Sequence, residues 1–172
     1  KHHTDSIDMI FGPVVGVDAT TDFQFNIIEG ENVSKQADIL TLDYSELEFL
    51  VNKHCEAGTD AIVAVGTTGE STTLTHEEHI AVVNAMVELS AGRIDIIAGN
   101  GSNSTSEAVQ LTEKMTQAGV SGFLNVTPYY NKPSLAGLIA HYQACADATD
   151  KPQILYNVPG RTSLDMTPDM VE

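Results

Sequence analysis

Basic side chains are scarce in this sequence: eight Lys and Arg stand against 24 Asp and Glu over 172 residues, a formal net charge of −16. Affinity for a phosphate backbone is built from clustered Lys and Arg, so nucleic acid is excluded as a partner, and an anionic membrane surface with it. Long apolar runs are also lacking, and none approaches the roughly 20 residues of a membrane-spanning helix. The N-terminal KHHTDSIDMIFG has neither an apolar signal core nor a small-residue cleavage site, which fits a cytoplasmic protein. Only two cysteines occur, Cys55 and Cys145. Far apart and inside helix-like segments, they read as small buried apolar residues rather than a disulfide or metal pair. The acidic residues are spread along the chain, as on a solvated surface.

What the sequence does have is a strand-then-helix rhythm of roughly thirty residues from Asp43 onward, the size of a βαβ unit. Asp43 and Glu46 form a capping pair for a helix carrying Leu47, Leu50, Val51 and Cys55, which Gly58 ends. Ala61–Val65 is a continuous apolar run suited to a strand buried on both faces. Thr75 with Glu78, and Ser104 with Glu107, cap two further helices, and Ser134 opens a fourth. Strands are expected at Ile94–Ala98, Gly122–Val126 and Gln153–Tyr156, and Thr167-Pro168 begins one more helix. Residues 1–43 are divergent, with an opening strand at Pro13–Val17 and an irregular acidic stretch over 22–42. Residues 44–172 form the regular α/β part. The alternation allows a doubly wound sheet or a (β/α)8 barrel, and both place ligands at the C-terminal ends of strands.

Three polar clusters fall at such ends. GTTGES (Gly66–Ser71) sets two hydroxyls between glycines, where backbone N–H groups can wrap a small anion such as a carboxylate, although alone it reads as an ordinary turn. TPYYNKPS (Thr127–Ser134) presents Tyr129 and Tyr130 on a loop stiffened by prolines, and Tyr156 ends the last strand; each phenol by itself reads more readily as a packing residue. Arg161 follows a Pro-Gly turn and has the fork to clamp a carboxylate, against a default of surface charge. Two other patterns fail their tests. Gly99-Asn100-Gly101 lacks the third glycine and the distal acid of a dinucleotide loop, and His76 and His79 are three apart where a zinc helix needs four. No metal and no cofactor are expected.

Taken in order, GTTGES, NVTPYYNKPS and ILYNVPGRT resemble the dihydrodipicolinate synthase family of pyruvate-dependent class I aldolases, from about Tyr44 to the last residue. The resemblance implies a (β/α)8 barrel, of which about five strands are legible, and condensation of pyruvate with aspartate 4-semialdehyde through a Schiff base. It implies that Thr67 links Tyr156 and Tyr130 in a proton relay, with Tyr130 reaching a neighbouring subunit of a homotetramer. It implies that Thr67 and Thr68 hold the pyruvate carboxylate and that Arg161 receives that of the semialdehyde. A lysine inhibitor would be held by Thr72, His76, His79, Gly101, Asn103, Glu107 and Tyr129. Sister families such as the N-acetylneuraminate lyases carry Ser at the Thr67 position and lack the arginine.

In the family the Schiff-base lysine stands on the sixth strand, which the sequence does not reach. Lys132, on a polar loop between Asn131 and Pro133, stays hydrated and protonated and makes a poor nucleophile. The expectation is therefore part of a longer protein, with a binding-only chain lacking the nucleophile as the alternative.

Overall fold

The structure, a computed structural model, describes residues 42–171. The strand expected at Pro13–Val17 and all but the last residue of the 22–42 stretch lie outside them. Helix α1 spans Tyr44–Ala57, and its first turn is capped as expected on one side: Asp43 Oδ1 accepts the N–H groups of Ser45 and Glu46 at 2.9 and 3.2 Å. Gly58 closes it at φ 72°, in the left-handed region that glycine enters without a Cβ penalty. Strands β1 (Ala61–Ala64), β2 (Asp95–Gly99), β3 (Gly122–Val126) and β4 (Gln153–Tyr156) alternate with helices α2 (His76–Ser90), α3 (Thr105–Ala118) and α4 (Leu135–Asp147). A short helix, α5 (Pro159–Thr162), follows β4. The helix expected at Thr167-Pro168 is a single 3-10 turn over Pro168–Met170.

The sheet decides between the two architectures that the alternation left open. All four strands are parallel and lie in the order β1-β2-β3-β4, without the reversal that makes a doubly wound sheet. Successive helices pack on one another in the same order, α1 on α2, α2 on α3 and α3 on α4. This is the winding of a barrel wall, with helices outside and the other strand face turned inward.

Alternation along the strands separates the two faces. Ile62 and Ala64 pair with Ile96 and Ala98, and Ala98 with Phe123, and these five side chains meet Leu47, Val51, Val82, Val83, Met86, Leu111 and Met115 in one buried core. Phe123 is wholly enclosed. Removing a buried aromatic ring of this kind costs about 3–5 kcal/mol. Residues of the opposite parity, among them Val63, Leu124 and Val126, line a cavity.

Two local expectations change. The run Ala61–Val65 stops as a strand at Ala64, because Val65 takes φ 52°, a conformation that a β-branched side chain rarely adopts. That bend delivers the chain into GTTGES. Ser104 makes no side-chain cap to α3, and Glu107 does not complete a capping box. Its carboxylate instead accepts from Ser102 Oγ at 2.7 Å and pairs with His76 of α2. A hydroxyl and an imidazole at once offer the carboxylate more than one backbone N–H does. The box of Thr75 and Glu78 is complete.

Candidate active site

Beyond Val65, Gly66 is extended and Thr67–Gly69 coil into one 3-10 turn, closed by Glu70 in the left-handed region at φ 56°. The first N–H groups of such a turn have no acceptor within it. Thr67 and Thr68 begin the turn, are exposed, and line a cavity of about 380 Å³ at the C-terminal ends of the strands. The same cavity is lined by Thr72, Gly101, Tyr129, Tyr156 and Arg161. Residues from all three motifs therefore converge on one space. A volume of this size suits a small organic acid together with a second reactant.

Two glycines set how closely its walls approach. A Cβ on Gly99 would lie 2.3 Å from the Val65 carbonyl oxygen, and one on Gly101 would lie 2.5 Å from the Val126 amide nitrogen. Only the absence of a side chain lets these backbones come together, as a tightly drawn strand-end site requires.

The remaining expected residues stand beside the cavity rather than on it. His79 is buried and donates Nε2–H to the Gly99 carbonyl at 2.8 Å. Asn103 donates Nδ2–H to the Tyr129 carbonyl at 3.2 Å, and Asn131 donates to the Asn103 carbonyl at 2.8 Å, fastening the tyrosine loop to the end of β2. Glu107, with Ser102 and His76, forms a polar cluster next to them. The Ser102 hydrogen bond, more than any other influence, holds the Glu107 carboxyl below its ordinary range. Ser102 carried no signal in the sequence beyond its place in a turn.

Tyr130 is apart from the cavity: it is 88% exposed, at φ 74°. Lys132, in the left-handed region at φ 44°, is exposed, and no lysine among the described residues lines the cavity. Cys145 is buried and Cys55 half-buried. Among the described residues no group of three His, Cys, Asp or Glu side chains is placed to hold a metal ion, and no helix is long and apolar enough to cross a membrane.

Two buried imidazoles, His79 and His141, and the half-buried His54 make stability depend on pH. Desolvation is the first cause that lowers the pKa of His54, of His79 and of His141 below the ordinary imidazole value near 6.5. Below that value the unfolded chain binds protons that the folded one resists, so stability is full above about pH 6.5. It falls as pH drops from there through the folded-state values. Thermal melts are expected to shift downward between about pH 7 and pH 5. A melting temperature that stays flat across that interval would contradict the burial of these rings.

Four parallel strands wound in sequence, with an anion-sized cavity at their C-terminal ends, define part of a (β/α)8 barrel with a ligand site where barrel enzymes carry theirs. Residues 36–172 match the model of the dihydrodipicolinate synthetase family, and the chain belongs to that family. It is 99% identical over 131 residues to the 4-hydroxy-tetrahydrodipicolinate synthase of Idiomarina loihiensis, an alignment that takes in 76% of this chain and 44% of that protein. It thus spans about half the length of the curated relatives it matches.

Solved structures agree. The chloride-inhibited dihydrodipicolinate synthase of Acinetobacter baumannii, crystallised with pyruvate, is 52% identical with a TM-score of 0.73, over 75% of this chain and 44% of that one. The Cyanidioschyzon merolae enzyme with lysine bound is 44% identical with a TM-score of 0.74, over 80% and 46%.

Proposed function

We propose that this chain carries the pyruvate-binding and proton-relay part of a 4-hydroxy-tetrahydrodipicolinate synthase, which condenses pyruvate with aspartate 4-semialdehyde through a Schiff base, toward diaminopimelate and lysine. The observation that carries this reading is the convergence of Thr67, Thr68, Tyr156 and Arg161, from separate motifs, on one cavity. Both substrates are anions approaching a chain of net charge −16, so local donors must outweigh the general field. The hydroxyls and turn N–H groups of Thr67 and Thr68 suit the pyruvate carboxylate, and the Arg161 guanidinium suits that of the second substrate.

Imine formation and aldol addition each move protons, and a hydroxyl between two phenols can pass them without admitting bulk water. Thr67 is assigned that place, and Tyr156 lines the same cavity. The second phenol is Tyr130 of a neighbouring subunit in a homotetramer, a role that suits its 88% exposure. By the family resemblance the imine nitrogen belongs to a lysine of a later barrel strand; Lys132 is exposed on a loop and does not line the cavity. The working compartment is the cytoplasm.

Lysine is the proposed feedback ligand, taken by Thr72, His76, His79, Gly101, Asn103, Glu107 and Tyr129. The Glu107 carboxylate supplies the charge that an ammonium group needs, and a relative has been crystallised with lysine bound.

Titration with pyruvate, followed through backbone amide resonances, tests the reading. Signals of Thr67 and Thr68 are expected to move; perturbation centred elsewhere, or none, would count against it.

A further inference from the structure

Behind the cavity wall, Thr127 places both of its donors on one acceptor. Its backbone N–H and its Oγ–H each reach the Tyr156 carbonyl oxygen, both at 3.0 Å. The residue is wholly buried. From the helix side, Tyr142 of α4 donates its phenolic O–H to Thr127 Oγ1 at 3.3 Å. The threonine hydroxyl thus accepts from the helix and donates to the strand. Burial pushes the Tyr142 phenol up, so it remains a protonated donor through the neutral range.

The place of this chain of bonds gives it meaning. Val126 and Tyr156 are the last paired residues of β3 and β4. Beyond them a strand-end carbonyl is ordinarily free to turn with its peptide. Here both acceptor positions on the Tyr156 oxygen are filled, which fixes the 156–157 peptide plane. That plane ends the residue that presents its phenol to the cavity and begins the turn that carries Arg161. The turn is tied down further on, where Thr162 Oγ1 bonds the Val158 and Leu164 carbonyls at 3.2 and 3.0 Å. Neither Thr127 nor Tyr142 lines the cavity.

We propose that Thr127 and Tyr142 are positioning residues: the Tyr142–Thr127–Tyr156 chain of hydrogen bonds sets where the Tyr156 phenol stands in the cavity. The ligand consequence rests on the cavity being a pyruvate site; the positioning itself does not. The helix α4, otherwise part of the outer shell, thereby reaches the site through one buried hydroxyl.

The test is NMR of the chain with isotope-labelled tyrosine, read at the ring signal of Tyr156, together with pyruvate titration. Thr127→Val keeps the shape and removes the hydroxyl. It is expected to displace the Tyr156 signal and to weaken pyruvate binding about tenfold, the effect of losing one or two hydrogen bonds. Thr127→Ser is expected to restore both. Tyr142→Phe, which removes only the helix link, is expected to displace the Tyr156 signal by a smaller amount.

A Tyr156 signal unmoved in both Thr127→Val and Tyr142→Phe would overturn the proposal, and so would a serine variant that behaves like the valine one. If Thr127→Val does not fold, Tyr142→Phe against wild type decides alone. Failure of the wild-type chain to bind pyruvate counts against the pyruvate reading, while the Tyr156 signal still reports on positioning.

Discussion

Gly99→Ala is expected to lower stability by about 3 kcal/mol, the upper part of the range for forcing extra atoms into a close-packed site. The added Cβ would lie 2.3 Å from the Val65 carbonyl oxygen and 2.9 Å from its carbon, and backbone atoms cannot swing aside as a side chain can. Neither wall is free to retreat. Val65 is already held in the left-handed region at φ 52°, and the Gly99 carbonyl is held by His79 at 2.8 Å. A domain with a total stability of about 5–15 kcal/mol would lose a large share of it. The measurable result is a fall of about 10 °C in melting temperature. A variant that melts with wild type would mean that β1 and β2 do not close on one another as described.

Arg161→Ala carries the largest expected effect on activity. It is measured in the Idiomarina loihiensis synthase, 99% identical to this chain over the aligned 131 residues. A guanidinium that takes a carboxylate makes charge-assisted hydrogen bonds worth about 1.5–3 kcal/mol, so kcat/KM for aspartate 4-semialdehyde is expected to fall roughly ten- to hundredfold. The half-reaction with pyruvate should be spared, because the pyruvate carboxylate is assigned to Thr67 and Thr68. Arg161→Lys is expected to recover only part of the loss, since an ammonium keeps the charge without the planar fork. Equal loss for both substrates would place the arginine on pyruvate, or on the fold of its turn.

Much of the fold could be read in advance because its local signals agree with one another. Asp43 and Thr75 both cap the helices that they precede, and each apolar run between cap and turn is a strand to within a residue. The reading failed where a local pattern was claimed by a distant partner. Ser104 and Glu107 have capping-box spacing, yet the carboxylate is taken by Ser102 and by His76, which is 31 residues away. Strand order was likewise beyond reach, since the same period serves a doubly wound sheet and a barrel until the pairing β1-β2-β3-β4 is seen.

At the site, the family resemblance of the three motifs named Thr67, Thr68, Tyr156 and Arg161 as candidates, and the structure brings them to one cavity. It also separates two adjacent phenols. Tyr129 lines the cavity while Tyr130 faces outward, a difference set by the φ of 74° at Tyr130 and by the Asn103 bond to the Tyr129 carbonyl. The link from Tyr142 to Thr127 spans fifteen residues and a helix–sheet interface, and no periodicity announces such a bond.

Whether the cavity at the strand ends receives pyruvate on the GTTGES turn is decided by mapping the amide shifts that pyruvate induces. Saturable shifts confined to Gly66–Ser71 and Tyr156, and lost in a Thr67→Val variant that still folds, are the predicted result. Saturable shifts that survive Thr67→Val, or that centre on the Ile80–Lys114 groove between α2 and α3, would contradict it.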